Sequence, residues 1–187
     1  MNCLVLVDLQ KGFLTEDGGI ICKRIETLIN EGGFNEIVAT QYVNSPGSPC
    51  DRICDYHDCM EGSDEAKLVP PADTVVKVFK KSGYSCFTDE FKEYLADNEI
   101  DDLTFVGFDT TACVLASAYS AFDMNIDVHV ITDCTDTILS SEVQECMITM
   151  MKCNLGDSNV VTMKEFLERR KENWKESLME MNSFPNC

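Results

Sequence analysis

The sequence predicts a doubly wound, three-layer α/β domain built on a parallel sheet, and two observations carry this prediction. Short apolar runs rich in Val and Ile alternate along the chain with stretches of helical periodicity. Each run is apolar at successive positions, which is typical of strands that are covered by helices on both faces. Strands and helices in alternation, joined by right-handed crossovers, give a parallel sheet of this kind.

Six apolar runs are the strand candidates. They are Cys3–Val7, Glu36–Thr40, Thr74–Val78, Leu103–Gly107, Ile126–Thr132 and Asn159–Thr162. Five stretches are the helix candidates, at residues 22–30, 89–97, 113–122, 140–152 and 163–181. The stretch 113–122 is Ala-rich and almost entirely apolar, so it should be buried all round. The last stretch is highly charged, so most of it should be solvated.

The interval 42–72 interrupts this alternation. It holds four of the five prolines and three cysteines, with little periodicity, and we expect a long functional loop or lid there. No internal repeat and no linker divides the chain, so residues 1–187 are predicted to form one domain.

Charge and composition exclude several classes of function. The net charge of −18 leaves no basic patch for a nucleic-acid backbone or an anionic membrane surface. No apolar run approaches the roughly 18 to 20 residues of a membrane span, and the opening lacks the basic segment of a signal peptide. A small molecule is therefore the expected partner.

The eleven cysteines are odd in number and come without a secretory signal, so we expect free thiols in a reducing cytoplasm. Cys50, Cys54, His57 and Cys59 have the composition of a structural zinc site. Their spacing, C-x3-C-x2-H-x-C, strains tetrahedral geometry. A plain cysteine-rich loop is the preferred interpretation, and neither a metal nor a cofactor is expected.

Three reactive side chains follow three of the predicted strands. Asp8 ends the first, Lys81 follows the third and Cys113 begins the helix after the fourth. The carboxyl ends of parallel strands share one edge, where ligands bind. A helix N-terminus and a nearby ammonium should lower the pKa of Cys113, and Asp8 could move its proton. Taken singly, these residues could equally be a packed thiol, a turn cap and a surface lysine.

Four segments resemble the isochorismatase-like cysteine hydrolases. They are LVLVDLQKGF, ATQYVNSPGSP, KSGYSCF and GFDTTACVLASAYSAFDMNIDVHVITD, and the resemblance covers most of residues 2–162. It implies a six-stranded sheet of order 3-2-1-4-5-6 and a triad of Asp8 as acid/base, Lys81 as charge stabiliser and Cys113 as nucleophile. A cis peptide between Phe108 and Asp109 is implied as well, with the N–H groups of Asp109 and Cys113 forming an oxyanion hole.

The resemblance further implies a homo-oligomer and a substrate pocket for which we select Phe13, Gln41, Tyr84 and Phe87. Nicotinamidases of the family carry a metal-binding Asp-x-His after the second strand. Here Tyr42 and Asn44 occupy those places, which argues against a metal and against nicotinamide.

The predicted function is hydrolysis of a small-molecule amide or related C–N bond through a thioester. True isochorismatases cleave a vinyl ether and need no thiol, so Cys113 favours the C–N hydrolases. Two alternatives stay open. One is an isochorismatase-type ether hydrolase, and the other is a non-catalytic thiol redox or binding protein.

Overall fold

The computed structural model describes the backbone of residues 1–182, and their side chains apart from 173–174 and 176–182. Its centre is a six-stranded, fully parallel sheet of order β3-β2-β1-β4-β5-β6. The strands are β1 (Asn2–Val7), β2 (Glu36–Tyr42), β3 (Val78–Lys81), β4 (Asp102–Phe108), β5 (Asp127–Asp136) and β6 (Val160–Val161). The predicted fold class and strand order are confirmed.

Six helices accompany the sheet: α1 (Gly18–Glu31), α2 (Pro49–Ile53), α3 (Asp89–Asp97), α4 (Leu115–Asp123), α5 (Ser141–Leu155) and α6 (Met163–Asn182). Helices α1 and α6 pack on one face of the sheet, and α3, α4 and α5 pack on the other. None of the helices within the described part of the chain is long and apolar enough to cross a membrane.

Strand β1 shows why both layers are needed. Successive side chains of a strand point to opposite faces. Accordingly, Cys3 and Val5 enter the core beneath α3 and α4, while Leu4 and Leu6 enter the core beneath α1. All four side chains are fully buried. A strand with this apolar pattern is stable only where helices cover both of its faces.

The predicted third strand, Thr74–Val78, begins four residues before the observed one. Residues Ala72–Thr74 form a short 3-10 helix, and Val76 is fully exposed. The strand begins at Val78, where pairing with Ala39 of β2 begins. Pairing with the neighbouring strand therefore outweighed the β propensity of the Thr74–Val78 run.

The interval 42–72 is more ordered than the predicted loop. It contains α2, and single β-bridges join Asn44 to Met60 and Gln10 to Leu68. The Asn44 side chain fixes it further, donating from Nδ2 to the carbonyls of Tyr56 and Asp58 at 2.7 and 3.2 Å. This segment is a packed wall above the sheet edge.

Candidate active site

Three side chains from three strand ends meet at the carboxyl edge of the sheet. The Lys81 Nζ atom lies 2.7 Å from Asp8 Oδ2 and 3.3 Å from Cys113 Sγ. The Asp8 and Lys81 side chains are 0% and 1% exposed, and Cys113 is buried as well. The structure thus brings together the three residues that the sequence analysis selected.

The ammonium of Lys81 has a partner for each of its three protons. Besides Asp8 and Cys113, it donates to the carbonyl oxygen of Gly83 at 2.9 Å. Burial is the largest single effect and works against the charged form, but the interactions with Asp8 and Cys113 together outweigh it, so the pKa of Lys81 is raised. Lys81 is therefore a fixed positive charge between the carboxylate and the thiol.

Asp8 is held by its backbone and by a hydroxyl group. It directly follows β1 and has a φ of +47°, a region that residues other than glycine seldom occupy. The Thr40 hydroxyl donates to Asp8 Oδ1 at 2.7 Å and accepts from the Asp8 N–H at 3.1 Å. Apart from the Lys81 ammonium, Asp8 Oδ2 has no hydrogen-bond partner. That oxygen is the one available to take a proton from the thiol.

The turn that carries Cys113 begins where β4 meets β1. Gly107 has a φ of +111°, and a Cβ atom there would overlap the Val7 carbonyl oxygen, so only glycine allows this close approach. The Phe108–Asp109 peptide is cis, as the resemblance implied. A single π-helical turn, Thr110–Val114, then holds Cys113 before α4 begins.

The Asp109 carboxylate fastens this turn to the loop after β5. Its Oδ1 accepts from the Thr111 N–H at 2.6 Å and from the Thr111 hydroxyl at 2.7 Å. Its Oδ2 accepts from the Thr137 hydroxyl at 2.8 Å and from the Ile138 N–H at 3.0 Å. All four donors belong to the protein, so this carboxylate maintains the geometry of the turn.

The expectation of a lowered pKa for Cys113 is wrong. Burial raises the pKa of this thiol, and the Asp8 carboxylate raises it further. The Lys81 ammonium acts in the opposite direction but is outweighed. The resting residue is therefore a thiol, and its proton must be transferred when a substrate is attacked.

A cavity of about 280 Å³ opens above Cys113. Its wall comes from five parts of the chain: Phe13, Tyr42, Cys50, Cys54, Tyr56, Tyr84, Asp109, Thr111, Ala112, Cys113, Ile138 and Leu139. Asp109 and Cys113, whose N–H groups are the predicted oxyanion donors, are both in this wall.

Two of the four predicted pocket residues, Phe13 and Tyr84, line the cavity. The selection of Gln41 and Phe87 is corrected by the structure. Gln41 points away from the cavity, and its Nε2 donates to the Ala66 carbonyl at 2.8 Å. The Phe87 ring packs edge-on against Phe91 with centroids 5.3 Å apart, so it belongs to the core beneath α3.

Tyr42 and Asn44 occupy the positions at which nicotinamidases carry metal ligands, and the two side chains have different roles here. The Tyr42 ring lines the cavity, 5.5 Å from Lys81 Nζ. Asn44 is buried, and its Oδ1 accepts from the Ser48 hydroxyl at 2.6 Å. In the described part of the chain, no three His, Cys, Asp or Glu side chains are arranged to hold a metal ion.

The cysteine-rich segment divides into cavity wall and surface. Cys50 and Cys54 line the cavity, while Cys59 is buried beside the Tyr56 hydroxyl. His57 is exposed and lies between Asp51 and Asp55, at 2.7 and 2.9 Å.

Sequence reasoning missed Thr40, Tyr56, Ile138 and Leu139. Thr40 could have been found from the pairing of β1 with β2. Ala39 pairs with Leu6, so the next residue, Thr40, lies beside the end of β1 and close to Asp8. The other three reach the cavity only through the tertiary path of their loops, and no local pattern marks them.

Comparison with known proteins gives consistent results. A family model described as the isochorismatase domain matches residues 2–165. The curated Isochorismatase family protein 2A of Dictyostelium discoideum is 30% identical over 77 residues, and the match spans 40% of this chain but only 38% of that relative.

Two solved structures show how far the fold is shared. A cysteine hydrolase from Pseudomonas syringae pv. phaseolicola 1448A is 16% identical, with a TM-score of 0.75, and the alignment covers 91% of this chain and 92% of that one. The N-carbamoylsarcosine amidase of Thermoplasma acidophilum is 23% identical, with a TM-score of 0.69, and the alignment covers 86% and 94%. At these identities the likeness establishes the fold.

Proposed function

This chain belongs to the isochorismatase family of hydrolases, and from that premise we propose that it cleaves a small-molecule amide or related C–N bond through a thioester on Cys113. The observation that carries the proposal is the single ammonium of Lys81, which lies 2.7 Å from Asp8 and 3.3 Å from Cys113 at the base of a cavity. A thiol, a proton acceptor and a fixed positive charge are the groups that acyl transfer needs.

The reaction has two halves. Asp8 takes the thiol proton as Cys113 Sγ attacks the substrate carbonyl carbon, and the oxyanion is stabilised by the N–H groups of Asp109 and Cys113. The C–N bond then breaks, and the proton passes from Asp8 to the leaving amine. In the second half, Asp8 takes a proton from water, which attacks the thioester. The carboxylic acid leaves and the thiol regains its proton.

The raised pKa of Cys113 is consistent with this sequence of proton transfers. A thiol that is protonated at rest needs an adjacent base at the moment of attack, and among the described residues Asp8 Oδ2 accepts from the Lys81 ammonium alone. Lys81 stays protonated throughout, so it offsets the negative charge that moves between Asp8 and Cys113. The three residues therefore act as one unit.

Amidase character is supported by a relative as well as by the site. The N-carbamoylsarcosine amidase of Thermoplasma acidophilum shares this fold, and its name describes cleavage of a C–N bond. An isochorismatase-type ether hydrolase would have no use for a buried thiol beside a carboxylate. A redox or binding protein would not need both a carboxylate and an ammonium beside its thiol, and Cys113 has both in the triad.

A panel of primary amides and vinyl ethers, assayed for ammonia and for enol products, tests the proposal. Cys113→Ala should lose at least about 1,000-fold in kcat/KM on amides, because the nucleophile of a triad is removed. Cys153→Ala, an exposed thiol of α5, is the matched control and should keep full activity. Vinyl ether cleavage that survives Cys113→Ala would instead support the ether hydrolase.

We also propose a cytoplasmic location and a homo-oligomeric state, with no nucleic-acid or membrane partner. The ten cysteines within the described residues are free thiols, the state that a reducing compartment maintains. The net charge of −18 is unfavourable for nucleic acids and anionic membranes. Light scattering of the purified protein tests the oligomeric state, and a mass of about 21 kDa would contradict it.

A further inference from the structure

We propose that the cavity accepts an uncharged, apolar acyl group, such as a single aromatic ring, and rejects acyl groups that carry a carboxylate. This inference rests on the proposed function, because it names the class of amide that Cys113 would attack. It follows from three properties of the cavity: the chemistry of its wall, the absence of an available cation and its volume.

Aromatic and branched side chains dominate the wall. The Phe13 ring lies nearly parallel to Tyr56, with centroids 6.4 Å apart, and Tyr42 is tilted against both at 6.0 and 6.3 Å. Ile138 and Leu139 are 71% and 54% exposed, and both line the cavity. An apolar acyl group would remove this surface from water, at about 25 cal/mol per Å² of apolar area buried.

No positive charge is available to a carboxylate in this wall. Its residues, all of them described by the structure, include no Lys, Arg or His. The nearest ammonium is that of Lys81, and its three protons are already donated to Asp8, Gly83 and Cys113. The Asp109 carboxylate adds negative charge to the wall, with its own four hydrogen bonds satisfied within the protein.

A substrate carboxylate would therefore lose its hydration without gaining a cationic partner in the wall. An ionised group buried without compensation is strongly disfavoured. Asp8 and Asp109 would both repel it. An uncharged ring meets none of these penalties.

The volume limits the size of the acyl group. About 280 Å³ is slightly below the usual range for ligand pockets, roughly 300 to 1,000 Å³. A single ring with a small substituent fits such a space, with its amide carbon directed to Cys113.

Two amides of similar size test this inference directly: 4-methylbenzamide and 4-carboxybenzamide. The wild-type enzyme should prefer the methyl compound by at least about 100-fold in kcat/KM, because a site that leaves a charge unpaired discriminates strongly. Equal turnover of the two, or a preference for the carboxylate, would overturn the inference while leaving the proposed function intact.

A charge introduced into the wall should reverse part of this preference. Cys54→Lys places an ammonium beside Tyr84 in the cavity wall and should narrow the ratio by about tenfold through Coulomb attraction to the carboxylate. Cys153→Lys makes the same charge change on α5, away from the cavity, and should leave the ratio unchanged. A ratio that Cys54→Lys does not change would contradict the proposed cause of the selectivity.

Binding to Cys113→Ala separates this inference from the proposed function. Calorimetry should detect 4-methylbenzamide and find the carboxylate at least about tenfold weaker. If the wild-type enzyme turns over neither amide yet this order of affinities holds, the proposed function fails and the cavity inference stands. If neither compound binds, or the carboxylate binds more tightly, the cavity inference is wrong.

Discussion

Two clusters of charged side chains lie at opposite ends of the same sheet, and they differ in burial. At the carboxyl end, Asp8 and Lys81 are 0% and 1% exposed and 2.7 Å apart. At the amino end, Asp102 and Arg170 are 26% and 24% exposed and 3.5 Å apart, with His129 3.6 Å from Asp102. One pair is sealed in the protein beside a thiol and a cavity, whereas the other remains in partial contact with water.

The amino-end cluster serves to attach α6 to the sheet. The Arg170 guanidinium lies 4.9 and 5.0 Å from the centres of the Phe34 and Phe166 rings and donates to the Gly32 carbonyl at 2.6 Å. Burial raises the pKa of Asp102 and lowers that of His129, which opposes a full charge on either group. His129 is half-buried, with its ring edge-on to Phe166.

This difference in burial shows which ion pair indicates a functional site. A fully buried ion pair gives little net stability, because desolvation offsets most of the Coulomb attraction. Lys81 nevertheless keeps its positive charge 3.3 Å from the buried thiol of Cys113 and 2.7 Å from Asp8, where that charge can serve chemistry. The Asp102–Arg170 pair is explained by its structural role, which is to attach α6 to the sheet. Matched substitutions at the two ends should therefore have different consequences.

The largest difference is expected in catalysis. Asp8→Asn should lower kcat by about 100- to 10,000-fold, because it removes the proton acceptor. The fold should be retained, since Asn tolerates the φ of +47° well. Asp102→Asn should leave kcat unchanged. Steady-state kinetics measure kcat for both variants, and circular dichroism checks that both are folded. Equal losses of kcat in the two variants would refute the expected difference.

Stability should show the next largest difference. Lys81→Met leaves Asp8 buried without its partner and should lower the free energy of unfolding by about 3 to 5 kcal/mol. Arg170→Met breaks a pair that water already screens and should cost about 1 kcal/mol. Urea unfolding of both variants checks this order. A larger loss for Arg170→Met would show that the amino end carries more of the stability.

A smaller effect is expected at Asp109. Asp109→Asn replaces an oxygen that accepts two hydrogen bonds with an amide that donates, which should disturb the turn before Cys113. We expect kcat to fall about 10- to 100-fold with KM nearly constant. Asp133→Asn is the control, because the Asp133 side chain accepts from the Met163 N–H and does not line the cavity. A change in KM alone would assign Asp109 to substrate binding.

The smallest effect concerns an exposed ion cluster of the 42–72 interval, where His57 lies between Asp51 and Asp55. Hydrogen bonds to Asp51 and then Asp55 raise the pKa of His57, so its stabilising contribution is complete at low pH and is lost as pH rises through the raised value. Wild type should exceed His57→Gln in stability at about pH 6 and match it at about pH 9. A difference that grows with pH would contradict this assignment.

The sequence identified what local pattern determines. Helix α3 has the bounds that its periodicity predicted, and β1 ends at Val7, so Asp8 directly follows the strand. Asp8, Lys81 and Cys113 could be selected because parallel strands end at one edge, so position along the chain implied proximity. The bounds of β3 were missed because its Lys-rich segment has weaker β propensity than the Thr74–Val78 run.

The properties that the sequence could not predict depend on how deeply a side chain is buried and on how the loops run in the folded chain. The pKa of Cys113 was expected to fall because the helix end and Lys81 are visible in sequence, whereas the burial that raises it is not. Tyr56 and Leu139 reach the cavity through long loops. Gln41 was misplaced because adjacent strand residues face opposite ways, and here Tyr42 faces the cavity.

The central claim is that Cys113 forms a thioester, and mass spectrometry of the acid-quenched enzyme tests it most directly. Wild-type protein mixed with an amide that it hydrolyses, and quenched within the first turnover, should carry the acyl mass on the peptide that contains Cys113. Cys113→Ala should carry none, and Cys54, although exposed in the cavity wall, should stay unmodified. Turnover with no adduct, or an adduct on Cys54 in place of Cys113, would contradict the account.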